Sequence, residues 1–233
     1  MEINRFTGND PDSDTKFSYS LVSRLDGLKP VLWLDATNED SIRHVGGDVY
    51  EWKDLSGNGH HVYQPDSDQR PSSWNSNHIN ELNVISFNRS QSDYLYTQKP
   101  LRANWQDIYV VGKWTGGGSS FPNYSGLVTT LYPPSHWSSD IGLVANQSKT
   151  SLYTSGKWWD NLYLNGQSSD GSNVFSKMAS PFIASIGSNE NVSLTGLSLG
   201  HDRPFAYTDR GWDGFIGEVV IFDRKLNTND RQT

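Results

Sequence analysis

Residues 197–226 read LSLGHDRPFAYTDRGWDGFIGEVVIFDRKL, and this stretch decides the fold. Leu197 and Leu199 alternate with Ser198 and Gly200, the pattern of a short strand. Residues 215–222 are apolar at almost every position, interrupted by Gly217 and Glu218. A run of about eight residues rich in Val, Ile and Phe, bounded by Gly and Asp, reads as a strand buried on both faces. Between the two runs lies a polar and aromatic loop, residues 201–213, carrying Asp202, Arg203, Tyr207 and Trp212. Such a segment can supply both core and a displayed surface.

Working outward, strand patterns recur at residues 31–35, 49–52, 83–87, 94–97, 107–114, 126–131, 141–145, 151–153, 162–164 and 182–185. Their spacing of about 8–20 residues, with turn chemistry between them, indicates an all-β, two-sheet antiparallel sandwich. Helix-period segments are nearly absent, which argues against an alternating β/α fold. Residues 1–29 differ. Residues 8–16, GNDPDSDTK, read as an extended arm, and Phe17, Leu21, Val22 and Leu25 then fall at helical spacing before Gly27. One reading is a short helix packed on the sandwich, the other an arm docking onto a partner subunit. The expected division is residues 1–29 as N-terminal arm or short helix and residues 30–233 as the sandwich.

With 233 residues, one large all-β domain suffices. Hydrophobic residues are only 34% of the chain while aromatics reach 12%, so the core is expected to rely on large rings. A formal charge of −7 with no basic run argues against a nucleic-acid partner. No apolar stretch approaches the roughly 20 residues needed to cross a bilayer, so membrane insertion is not expected. MEINRFTGNDPDSD has no basic region followed by an apolar one, and is not read as a secretory signal. Cysteine is absent, which is weak evidence about compartment. A virion protein, made in the cytosol and working outside, fits these features, and so does a domain of an extracellular or cell-surface protein.

The order VLWLDATN, YEWKDLSGNGHH, IYVVGKW, LYLNGQ, LSLGHDRP and DGFIGEVVIFDRKLNTNDR resembles the concanavalin A-like lectin/glucanase superfamily. Within it, the chain is similar to the laminin-G-like jelly-roll domains of bacterial surface and phage proteins, over roughly residues 30–233. The resemblance implies a jelly-roll β-sandwich. It also implies glycans or other surface ligands, sometimes with calcium. Family members continue into a short C-terminal helix, which Asn227 or Thr228 would cap.

Glucanases of this superfamily carry carboxylates in an E-x-D-x-x-E arrangement along one strand, which places nucleophile and acid on one face. No such string occurs. Glu218, flanked by Ile216 and Val220, is expected to be a hydrogen-bonded structural residue. The histidines His44, His60, His61, His78, His136 and His201 show no ligand spacing, there is no G-x-S-x-G elbow, and Gly116-Gly117-Gly118 lacks the Lys-Ser/Thr of a phosphate loop. No enzymatic activity is expected. In the 54–61 loop, Asn58-Gly59 is a turn signal, and Asp54 and Ser56 can bond nearby backbone N–H groups. The rival reading is a metal or ligand loop of Asp54, Asn58 and His60. Calcium needs six to eight oxygens. Asp35, Asp40 and Asp54 could converge to supply some of them, so calcium is the one cofactor left open and none is required.

Rings beside hydrogen-bonding groups are the strongest functional signal, because sugars offer flat C–H faces edged by hydroxyls. Three loops qualify: Tyr132, His136 and Trp137 in one, Trp158 and Trp159 in another, and Asp202, Arg203, Tyr207 and Trp212 in the third. Adjacent strand residues face opposite sides, so one of Trp158 and Trp159 is expected to point outward. The function expected is a surface-recognition module, binding a glycan or cell-surface polysaccharide in a phage virion or cell-surface assembly. The alternatives are a structural virion decoration or tail protein whose loops contact neighbouring subunits as an oligomer, and an accessory module of a polysaccharide-degrading enzyme.

Overall fold

The structure, a computed structural model, describes residues 27–73, 78–98, 101, 103–131, 142–147, 149–155, 158–227 and 230. The expected helix over residues 17–25, with the arm before it, lies outside them. The chain forms β1 (Leu32–Asp35), β2 (Ile42–Val45), β3 (Asp48–Trp52), β4 (Val62–Tyr63), β5 (His78–Ile79), β6 (Leu82–Asn83), β7 (Ile85–Phe87) and β8 (Leu95–Thr97). It continues through β9 (Ala103–Trp114), β10 (Gly126–Thr130), β11 (Leu143–Val144), β12 (Asn161–Leu164), β13 (Gln167–Ser169), β14 (Phe182–Leu194), β15 (Leu197–Leu199) and β16 (Gly214–Phe222). One helical turn, Phe175–Met178, precedes β14.

Two sheets carry the fold. The first runs β1-β16-β9-β14-β12-β13, with β7 also on β16, and the second runs β11-β10-β15-β8-β4-β3-β2. Every pairing is antiparallel, and β5 and β6 form a separate hairpin. The inner faces share one core. Leu32, Leu34, Ile108, Val110 and Ile221 from the first sheet meet Trp52, Val62, Leu95, Val128 and Leu199 from the second. Each such aliphatic side chain contributes about 1.5–3 kcal/mol by leaving water. The protein is therefore an antiparallel β-sandwich. Rings fill one end: Trp212 is fully buried, edge-on to Trp114 at 4.9 Å and near Phe121 and Phe182.

β16 is the central strand expected from its apolar run, but strict alternation fails in it. Gly217 is skipped in the pairing with β9, where Ile216 opposes Gly112 and Glu218 opposes Val111. This bulge turns Ile216 into the inter-sheet core and sets Glu218 on the outer face with Val220 and Phe222. Ile216 is therefore not a same-face neighbour of Glu218. Glu218 is buried and accepts a hydrogen bond from Trp33 Nε1 at 2.9 Å, as a structural residue should.

The outer faces of the two sheets differ, and that difference locates the site. On the first, Trp33, Tyr109, Val220, Phe222 and Leu226 form a second buried cluster, roofed by Leu28 and Leu55. The 53–61 loop clamps this roof. Asp54 Oδ1 accepts from the Trp33 and Ser56 amides and Oδ2 from the Ser56 hydroxyl and the His60 amide. Asn58 Nδ2 donates to the Pro30 and Val31 carbonyls. Among the described residues the second sheet carries no comparable roof over β8, β4, β3 and β2, where Tyr96, Tyr63 and Tyr50 are half-buried and Arg43 is exposed.

Candidate ligand-binding face

The loop after β15 is anchored, not free. Trp212 N donates to Gly200 O at 2.7 Å, and Asp202 N to Arg210 O at 3.2 Å. Gly200 is obligatory here: its φ is +82°, and a Cβ would lie 2.1 Å from the Phe87 ring. Asp202, 1% exposed, accepts from Arg203 Nε at 2.9 Å, Arg203 Nη2 at 2.7 Å and Arg210 Nη1 at 2.9 Å. The Arg210 guanidinium packs 3.4 Å from the Tyr207 ring centroid and 4.7 Å from that of Tyr124. His201 is buried beneath, its Nδ1 3.1 Å from the Asp202 carbonyl, and burial holds its pKa below the ordinary value. Asp202, Arg203 and Trp212 are thus corrected from ligand contacts to internal anchors, because their polar atoms and rings face inward. Tyr207 stays half-exposed, and the loop tip displays Phe205, 57% exposed.

Trp158 and Trp159 are corrected too. Both are buried, at 7% and 2% exposure, and Trp158 packs 5.8 Å from Trp105 in the core. The pair precedes β12 outside any strand, so the two-sided alternation does not apply. Tyr132, His136 and Trp137 lie outside the described residues. Nor does the structure gather the expected calcium ligands. Asp40 is exposed, Asp35 Oδ1 bonds the Thr37 amide and hydroxyl, and Asp54 holds four donors. Among the described residues no three His, Cys, Asp or Glu are placed to hold a metal ion.

What the sheets do assemble is a row of cross-strand partners on the open face. Thr129 opposes Ser198, Ser198 opposes Tyr96, Tyr96 opposes Tyr63, Tyr63 opposes Glu51, and Glu51 opposes Arg43. Direct partners in an antiparallel pair share a face, so the row crosses six strands. The 201–210 loop covers the Thr129 and Ser198 end, where both hydroxyls donate to the His201 carbonyl. Phe205 then stands edge-on to Tyr96, with ring centroids 5.4 Å apart. From Tyr96 to Arg43 the row extends over three strand spacings, roughly 14 Å, with Tyr96 and Tyr63 half-buried, Glu51 buried and Arg43 exposed.

A second bulge enriches this face. Arg43 opposes Glu51 while His44 opposes Val49, so Tyr50 is the extra residue in β3. Val49 and Trp52 both enter the core, and the two residues between them turn outward. The Tyr50 ring lies 6.2 Å from Tyr63 and takes guanidiniums on both sides, Arg43 at 4.7 Å and Arg70 at 5.3 Å. Burial raises the Tyr63 pKa, and the adjacent Glu51 carboxylate adds to the rise. The face thus offers flat rings, a carboxylate, hydroxyls and a cation within one span. Sequence reading missed Arg43, Tyr50, Glu51, Tyr63, Tyr96 and Phe205, because they are scattered over four strands and a loop. The alternation Val62-Tyr63 and Leu95-Tyr96 was the available signal.

The chain matches no family model, and no curated protein matches it. Among solved structures it is similar to Trypanosoma rangeli sialidase in complex with the inhibitor DANA, at 13% identity and a TM-score of 0.47. The similarity covers 94% of this chain and 37% of that one, so the chain spans little more than a third of the sialidase's length. The expectation of no enzymatic activity is corrected by that likeness, since the matched protein is an enzyme. A likeness this distant carries no argument for a reaction, and the exclusion of catalysis is withdrawn without a reaction put in its place.

Proposed function

We propose that the chain is a surface-recognition module that binds a glycan on the outer face of the second sheet. One observation carries this reading: Tyr96, Tyr63, Glu51 and Arg43 form a cross-strand row, half-buried at its rings and exposed at Arg43, that ends beside the exposed Phe205. Rings accept the C–H faces of pyranoses, while a carboxylate and a guanidinium give the strong, directional hydrogen bonds that orient sugar hydroxyls. The row is held by sheet register, not by mobile side chains, which lowers the ordering cost of binding. The resemblance to concanavalin A-like jelly-roll domains supports the same reading, and the setting proposed for the module is a virion or cell-surface assembly. Binding of the protein to a panel of bacterial polysaccharides tests it. Tyr96→Ala and Phe205→Ala should each weaken a saturable interaction at least tenfold with little change in melting temperature. Unchanged affinity in both variants would remove the face from the site.

A second reading rests on Phe205 alone. It and Val45 are the exposed large hydrophobic residues among those described, and such a ring also suits a contact with a neighbouring subunit. Failure of every polysaccharide to bind, together with Phe205-dependent self-association, would favour it.

A further inference from the structure

The protein carries a net charge of −7, yet two guanidiniums gather at the β2–β3 end of the row. Two guanidiniums flank Tyr50 there, and they are not alike. Arg70 directs Nε to the Gln64 carbonyl, Nη1 to that of Val45 and Nη2 to that of Pro65. It pins the 64–70 loop against the β2 end. Arg43 is exposed, and among the described residues its guanidinium has no hydrogen bond and no ion pair. Its Cζ lies over the Tyr50 ring, 4.7 Å from the centroid, a cation–π contact that uses none of the N–H donors. Glu51, its cross-strand partner, does not neutralise it. That carboxylate is buried beside Tyr63, and among the described residues no ion pair joins it to Arg43.

We infer that Arg43 is the anion-recognising residue of this face, and that its ligand is an acidic glycan bearing carboxylates on its sugar rings. The inference rests on the glycan reading above and deepens it. A guanidinium fork matches a carboxylate with two parallel N–H···O bonds, a geometry a neutral sugar cannot offer. The contact with Tyr50 restrains the guanidinium before binding, so less rotamer freedom is lost on capture. With the carboxylate at Arg43, the rest of the chain lies along Tyr63 and Tyr96 toward Phe205, following the register of the sheet. The net negative charge of the protein does not prevent this. At physiological salt the Debye length is about 8 Å, so distant carboxylates are screened while a contact pair is not.

The test uses the full chain, three carboxylate polysaccharides (polygalacturonate, alginate and hyaluronate) and the carboxyl-reduced, neutral form of each. At least one acidic polymer should bind tenfold or more tightly than its reduced form, and added salt should weaken it. Arg43→Ala should abolish that preference without lowering the melting temperature, and Arg43→Lys, which keeps the charge but not the fork, should restore only part of it. A reduced polymer that binds as tightly as its acid, or a preference that survives in Arg43→Ala, overturns the inference. If binding is charge-blind but lost in Tyr63→Ala, the inference fails and the glycan reading stands. If no polysaccharide of either charge binds, both fail.

Discussion

Glu51 and Tyr63 are direct partners on neighbouring strands in the middle of the cross-strand row, and burial together with the adjacent Glu51 carboxylate raises the Tyr63 pKa. Tyr63→Phe keeps the ring and deletes the hydroxyl. A half-buried hydroxyl contributes at most about 1 kcal/mol net, so the variant should be close to wild type in stability and still bind glycan. Tyr63→Ala should lose at least tenfold in affinity. Calorimetric titration beside thermal unfolding separates the effects, and a Tyr63→Ala protein that binds like wild type would take the ring out of the site.

Asp202 holds two buried guanidiniums, of Arg203 and Arg210, and thereby sets where Phe205 stands. Removing the shared carboxylate takes a buried ion-pair partner from both guanidiniums at once. Asp202→Ala should cost about 3–5 kcal/mol, the range for breaking a buried ion pair from one side. The loss should be far larger than that of Phe205→Ala, although both residues belong to one loop. Chemical denaturation of the two variants checks this, and similar midpoints would contradict the anchoring role.

Trp158 and Trp159 carry the opposite expectation to a ligand site. Both are buried, and Trp158 meets Trp105 and closes over Gly142, where an added Cβ would come within 3.0 Å of the Trp158 ring. Each Trp→Ala substitution should destabilise by about 3–5 kcal/mol through lost burial and a residual cavity. Any fall in ligand binding should track the unfolded fraction. A well-folded Trp159→Ala protein with selectively weakened binding would restore the sequence reading.

The strand pattern of the sequence carried the sandwich because burial is written in it at period two. Residues 215–222 and 107–114 were legible as central strands, and Asp54 with Asn58-Gly59 as a clamped turn. Short strands such as β2 and β4 were not, since four and two residues leave little periodicity to read. The site escaped for another reason. It exists only across strands, in the register that joins Tyr96, Tyr63, Glu51 and Arg43, and two bulges break the alternation that would place Tyr50 and Glu218. Rings adjacent in sequence, Trp158 and Trp159, drew the eye, whereas rings adjacent in space were spread over three strands and a loop.

Asp93 supplies a pH dependence with a definite sign. It is 2% exposed, its Oδ2 accepts the Asn88 amide at 2.8 Å, and its Oδ1 has no hydrogen-bond partner. Burial pushes its pKa up to about 7, with Asp48 and Asp213 adding to the rise and the Asn88 bond opposing it. The folded value lies above that of the unfolded chain, so the folded state binds the proton more tightly. The associated stability is fully present below the unfolded pKa near 4 and is lost as pH rises through about 7. Asp93→Asn keeps a carbonyl for the Asn88 amide and removes the charge. It should therefore stabilise the protein more at pH 8 than at pH 5, by a difference on the order of 2 kcal/mol. The 88–93 turn is tied to the ligand loop by Ser92 Oγ donating to the Thr208 carbonyl at 2.5 Å and Arg89 Nε to that of Asp209 at 3.3 Å. Glycan affinity should fall on the same pH scale in wild type and stay flat in Asp93→Asn. Thermal unfolding and binding at the two pH values decide it, and an equal gain at both would mean that Asp93 is ionised throughout.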